Sequence, residues 1–71
     1  MKDKRIGFVG LGRMGGNMAR CLHDKGYQVS ALYDLDADRA AALAAETGST
    51  AYRTLAAVTA NADVILTIVT N

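Results

Sequence analysis

The sequence predicts an α/β domain built on a doubly wound parallel sheet, with the element order β-α-β-α-β-α-β and strands arranged 3-2-1-4. Three observations predict it. Two runs, Ile6-Gly7-Phe8-Val9-Gly10 and Val64-Ile65-Leu66-Thr67-Ile68-Val69, are apolar at nearly every position, as strands covered on both faces of a parallel sheet are. Between them the hydrophobic spacing switches repeatedly between strand and helix periods, and strands alternating with helices give a parallel sheet through right-handed crossovers. Where the first strand passes into the first helix stands Gly10-Leu11-Gly12-Arg13-Met14-Gly15, a Gly-x-Gly-x-x-Gly array.

Arg5-Ile6-Gly7-Phe8-Val9 is the first strand and should be central. Gly7 inside it marks close approach by a neighbouring element. The helix that follows runs from Met14 to Lys25, with Leu11, Met14, Met18 and Leu22 at helical spacing as its buried stripe and Ala19 and Cys21 on its flanks. Cys21 reads as packing. Gly26 stands where a left-handed cap is wanted. Tyr27 to Tyr33 is the second strand, with Val29, Ala31 and Tyr33 on one face and Ser30 and Leu32 on the other, and Asp34 ends it. Asp36 caps an alanine-rich helix reaching Thr47, whose Ala37, Ala40, Ala41 and Ala44 form a small-residue face, and Gly48 closes it. Ser49-Thr50-Ala51-Tyr52 allows a short edge strand. Thr54 caps a short helix from Leu55 to about Ala60, and Asp63 introduces the last strand, Val64 to Val69.

The glycines have separate mechanical jobs. Gly10 permits the tight turn out of the strand, Gly12 lets the backbone approach a pyrophosphate, and Gly15 lets the helix lie close to the sheet. The helix start aims unpaired N–H groups and the positive end of its dipole at the same place. The turn acquires meaning from its context: a strand before it, a helix after it, and an acid, Asp34, 19 positions beyond the last glycine. Together these predict a Rossmann-like dinucleotide cradle. Backbone N–H groups around Gly12, Arg13 and Met14 would hold the pyrophosphate, with Arg13 able to add charge. Asp34 would accept from the adenine-ribose hydroxyls and repel a 2′-phosphate, which favours NAD over NADP.

With 71 residues the chain is long enough for one small domain and shorter than a two-domain enzyme, so residues 1–71 are expected to be a truncated dinucleotide-binding domain. A formal charge of +1, with no basic run and no clustered aromatics, argues against nucleic acid or an anionic membrane as partner. Cys21 is the single cysteine, and no apolar run reaches signal-peptide or membrane-span length, so a cytoplasmic chain is expected. His23 has no ligand partner at metal spacing, and no metal site is expected. The last strand leaves an apolar edge open, which predicts self-association through Val64 to Val69.

The run from Ile6 through Ala19, with its Gly-Leu-Gly-x-Met-Gly-x-x-Met-Ala pattern, followed by Leu22 and Gly26, resembles the N-terminal fingerprint of the β-hydroxyacid dehydrogenases. The similarity continues through the Asp63 to Val69 strand and covers essentially the whole chain. It implies nicotinamide-dependent oxidation of a short β-hydroxyacid to its semialdehyde or keto product, or the reverse. It also implies that the loop after the fourth strand, Val69, Thr70 and Asn71, approaches the nicotinamide ribose. Relatives that prefer NADP tend to show Asn-Arg-Thr after the second strand, where this chain has Tyr33-Asp34-Leu35-Asp36. Cys21 stands where asparagine is frequent, Tyr27 where histidine is frequent, and Thr70-Asn71 where a proline is often near. The family's substrate-contacting serine segment and catalytic lysine belong to regions these residues do not include. Lys2, Lys4 and Lys25 match no catalytic motif, and no catalytic residue is carried over.

Two other readings compete. NAD-sensing regulatory modules of potassium transport systems share the strand, the glycine turn and the acid, but the Met14, Met18-Ala19 pattern favours the dehydrogenase. A fragment that folds without binding is the third, because so small a core offsets chain entropy narrowly.

Overall fold

A computed structural model describes residues 2–68. The elements are β1 (Arg5–Val9), α1 (Gly12–Asp24), β2 (Gln28–Tyr33), α2 (Ala37–Thr47), β3 (Thr50–Ala51), α3 (Leu55–Ala60) and β4 (Val64–Thr67). The strands are parallel in the order β3-β2-β1-β4. With right-handed crossovers, this order puts α1 and α2 on one face of the sheet and α3 on the other. The predicted fold class and strand order are those observed.

β1 is the central strand because its residues can be covered on both faces. Ile6 and Phe8 are buried and belong to one core with Leu11, Ala19, Val29, Leu32, Ala40 and Leu43. Gly7 meets the third helix: a Cβ built there would lie 2.9 Å from both Val58 Cγ1 and Ala62 Cβ. The close approach expected at this glycine is therefore made by α3 and the residues after it. At the foot of the sheet, Asp63 Oδ2 accepts from the Arg5 backbone N–H at 2.8 Å and its side-chain Nε at 3.2 Å, and Oδ1 accepts from Nη2 at 3.2 Å. This clamp joins the starts of β1 and β4. The side-chain hydrogen bonds from Arg5 lead the effects that hold the Asp63 carboxyl below the usual carboxylate range.

Helix boundaries follow their caps. Asp36 accepts from the Arg39 N–H at 3.1 Å to open α2, and Gly48, at φ +69°, closes it in the left-handed conformation. Thr54 accepts from the Ala57 N–H at 3.1 Å to open α3. By contrast, no side chain caps α1 at Leu11, and that helix begins at Gly12 rather than Met14.

Several expectations are corrected. Met14 and Met18 are 64% and 37% exposed, and Cys21 is exposed as well, so none of the three belongs to the core. The buried arc of α1 is instead Gly15, Gly16 and Ala19, with Leu22 half-buried. Small residues bring the helix axis close to the sheet and leave the longer methionines at its sides. In α2 the buried positions are Ala40, Leu43 and Thr47, whereas Ala37 and Ala41 are exposed. β2 starts at Gln28 and does not alternate strictly: Ile6 pairs with Val29 and Gly7 with Ala31, so Ser30 is bulged. The Ser30 hydroxyl donates to the Asn61 carbonyl at 2.9 Å, tying the bulge to the end of α3. β4 ends at Thr67 and, among the described residues, pairs only with β1. Its side chains alternate between half-buried and exposed, the pattern of an edge rather than of an interior strand.

Candidate functional site

The carboxyl ends of β1 and β2 lie side by side, because Val9 pairs with Tyr33 and the Gly10 N–H donates to the Tyr33 carbonyl at 2.9 Å. Ligands of open α/β sheets bind at such a crevice. Gly10 turns the chain here with φ +80°, and Gly12 follows at φ +49°. A Cβ on Gly15 would come within 2.7 Å of the Gly10 carbonyl oxygen and 3.2 Å of Ile68 Cγ1. The third glycine is thus required by the contact between α1 and the strand ends, as the motif predicts.

Asp34 lies across the turn. Its Oδ2 accepts from Leu11 N–H at 2.7 Å and Gly12 N–H at 3.4 Å, and its Oδ1 accepts from Asp36 N–H at 2.8 Å. Arg39 Nη1 stands 4.0 Å from Oδ2, and only 11% of the Asp34 side chain is exposed. Burial alone would push this carboxyl up, but the three backbone donors and Arg39 outweigh it and leave the acid below its ordinary value. The group is therefore an anion at neutral pH. Because its folded value lies below the unfolded value of about 4, the stabilisation it provides is present above about pH 4 and is lost as pH falls through the folded value. Asp34→Asn should accordingly flatten part of the acid limb of stability, read from urea midpoints between pH 7 and pH 3.

The predicted site residues Gly10, Leu11, Gly12, Arg13, Met14, Gly15 and Asp34 come together around this turn. Val9, Gly10, Leu11, Gly12, Asp34 and Thr67 are among the residues lining a cleft of about 390 Å³. Val69, Thr70 and Asn71 lie outside the described residues. First-turn N–H groups have no intrahelical acceptor. With Leu11 and Gly12 engaged by Asp34, those of Arg13 and Met14 are left for an anion. A larger cleft, about 520 Å³, adjoins the first through Tyr33, Asp34 and Leu35 and is walled by Tyr52 and Arg53. The donors, the exclusion of Cβ atoms and the adjacent carboxylate fit the diphosphate and ribose of a dinucleotide.

Arg39 was not a sequence-derived candidate. Its N–H closes the capped turn at Asp36, and in the folded chain its side chain stands beside Asp34, a placement that composition and spacing do not signal. Among the described residues, no group of three or more His, Cys, Asp or Glu could hold a metal ion. No described helix is long and apolar enough to cross a membrane.

The chain is 38% identical over 68 residues to the mitochondrial 3-hydroxyisobutyrate dehydrogenase of Drosophila melanogaster, a match covering 96% of this chain and 20% of the relative. Two crystal forms of UDP-N-acetylglucosamine 3-dehydrogenase GnnA from Acidithiobacillus ferrooxidans superpose with TM-scores of 0.84 and 0.83 at 28% identity. Each of these matches covers 94% of this chain and 22% of the other. The chain thus spans about a fifth of the length of these proteins. Residues 5–71 match the model of the NAD binding domain of 6-phosphogluconate dehydrogenase, and the chain belongs to that family.

Proposed function

We propose that this chain is the NAD-binding portion of an oxidoreductase that interconverts a short β-hydroxyacid, of the 3-hydroxyisobutyrate type, with its semialdehyde or keto product. The observation that carries the reading is Asp34, an enclosed anion at the end of β2 that reaches the glycine turn through Leu11 N–H at 2.7 Å. In this reading the N–H groups of Arg13 and Met14 bind the pyrophosphate, Gly12 lets the backbone approach it, Gly10 and Gly15 permit the tight turn and the close helix packing that shape the cradle, and Asp34 reads the adenine ribose. Leu11, buried in the core, anchors the turn from within. The 38% identity with a hydroxyacid dehydrogenase supports the substrate class.

The nicotinamide would supply hydride chemistry when bound, while the described residues supply binding and orientation. No residue has been assigned the proton transfer that oxidation of an alcohol requires. In this reading the 71 residues bind the cofactor without turning over substrate themselves, a helical substrate domain supplies the group that takes the proton, and the protein works in the cytoplasm. A non-catalytic NAD-sensing module would use the same cradle; the identity with a dehydrogenase favours the enzyme. Calorimetric titration with NADH should show saturable binding near one equivalent, and an absence of binding would overturn the cofactor assignment.

The proposal includes self-association along β4. That strand has one neighbour in the described structure, and Ile65 is 36% exposed. Unpaired strand edges template pairing, so sedimentation should show mass increasing with concentration. A clean monomer throughout would remove this part.

A further inference from the structure

The two edges of the sheet differ. β3 closes one side with only Thr50 and Ala51, too short to template another strand. β4 closes the other with Val64-Ile65-Leu66-Thr67, which carries no charge, no proline and no bulge against β1, so the usual guards of an edge are missing. Asp63, just before it, is already matched by Arg5. The Ile68 N–H donates to the Val9 carbonyl at 2.9 Å, so Ile68 turns its backbone groups toward β1. Because successive residues of a strand alternate, Leu66 and Val64 do the same, and the N–H and C=O groups of Ile65 and Thr67 face the open edge.

We propose that a second copy of this chain pairs with β4 across a two-fold axis through Leu66, giving one continuous sheet of order β3-β2-β1-β4-β4-β1-β2-β3. This rests on the self-association reading above and specifies its geometry. A two-fold axis perpendicular to the sheet sets the two β4 strands antiparallel and makes the edge its own complement, since Ile65 and Thr67 each offer one donor and one acceptor. Ile65 of each copy lies opposite Thr67 of the other, and each pair exchanges both hydrogen bonds. The two Leu66 residues, which pack on the core of their own copies, meet at the axis as a close pair without hydrogen bonds. An axis through Ile65 would instead set Thr67 against Asp63, whose N–H already donates to the Arg5 carbonyl at 2.7 Å. An axis through Thr67 would leave Ile65 opposite no described residue. A formal charge of +1 on each copy adds little repulsion. The seam consumes both β4 edges, so the assembly stops at two copies.

The test uses the Cys21→Ser chain, because the exposed Cys21 would cross-link on its own. Sedimentation equilibrium should show the mass rising with concentration and levelling at twice that of the chain. In that background Leu66→Cys, Ile65→Cys and Thr67→Cys read the register under mild oxidation. Leu66→Cys should form a disulfide dimer at least about tenfold faster than the other two, because the Cα atoms at the axis are about 4.5 Å apart whereas the others exceed the roughly 7 Å that a disulfide spans. Ile65→Pro, whose lost N–H faces the seam and not β1, should keep the circular dichroism of the parent and sediment as a monomer. If Leu66→Cys does not fold, the limiting mass and Ile65→Pro decide. Mass growing past two copies, cross-linking at Ile65→Cys or Thr67→Cys as fast as at Leu66→Cys, or a folded Ile65→Pro that still pairs would overturn the seam at Leu66 and leave self-association standing. A monomer at every concentration would overturn both.

Discussion

Gly10→Ala should destabilise the chain strongly. At φ +80° a residue with a Cβ is strained by roughly 1–2 kcal/mol. The new Cβ would also lie 2.5 Å from the Ile68 carbonyl oxygen, a contact that real Cβ atoms essentially never make. Neither partner can withdraw easily. The Gly10 N–H is bonded to the Tyr33 carbonyl and the Ile68 N–H to the Val9 carbonyl, each at 2.9 Å, so relief would open the β1–β2 or the β1–β4 ladder. Overpacking of this kind costs another 1–3 kcal/mol or so. The sum, roughly 2–5 kcal/mol, compares with a total of roughly 4–10 kcal/mol for a domain of this size. Urea denaturation followed by circular dichroism should show the midpoint falling by a third or more. A midpoint equal to that of the parent would contradict the account of the turn.

Asp34→Ala should lower stability and cofactor binding together, because one carboxylate serves both. A carboxylate has about four lone-pair directions, and three backbone donors, Leu11, Gly12 and Asp36, already use Asp34. Ribose hydroxyls therefore share an acceptor that is also holding the glycine turn in shape. Removing it strands part-buried N–H groups, at a cost of about 2 kcal/mol in all, and should weaken NADH binding by at least about tenfold. Asp34→Asn is the gentler probe. Its amide oxygen can keep the Leu11 contact while the negative charge that opposes a 2′-phosphate is gone, so the preference for NADH over NADPH should narrow. An unchanged relative affinity for the two cofactors in Asp34→Asn would remove Asp34 from discrimination. Both titrations require a folded sample, so each is paired with the urea midpoint of the same variant.

The features that the sequence revealed are those fixed over short range. Asp36, Thr54 and Gly48 announce helix ends because a cap involves residues only three or four apart. The strand order followed from the alternation of elements and the handedness of crossovers, and Gly7, Gly10 and Gly15 each stand where a Cβ would collide. The inner face of α1 was illegible for a physical reason. Hydrophobic periodicity weights large side chains, so it selects Met14 and Met18, whereas the arc against the sheet is made of Gly15, Gly16 and Ala19. α2 misleads in a related way. Its many alanines look equivalent in sequence, and only the neighbouring strands decide that Ala40 and Leu43 turn inward while Ala41 does not.

The candidate site divides along the same line. The glycine array and Asp34 were visible because their spacing is set by one βαβ unit. The hydrogen bonds from Leu11 and Gly12 to Asp34 join residues 23 and 22 positions apart and depend on how two strand ends sit side by side. Arg39 gives no signal in composition or spacing, since an arginine on an alanine-rich helix is ordinarily a solvated one. Its place beside Asp34 arises only when the cap at Asp36 sets the direction of α2.

The central claim is that the turn from Gly10 to Gly15, closed over by Asp34, receives a dinucleotide. The most direct test is titration of isotopically labelled chain with NADH, following the backbone amides one by one by NMR. The account predicts saturable shifts concentrated at Gly12, Arg13, Met14, Gly15 and Asp34, with the amides around Thr47 and Gly48 at the far end of α2 unmoved. Saturable shifts centred elsewhere, or none at any concentration of NADH, would contradict it.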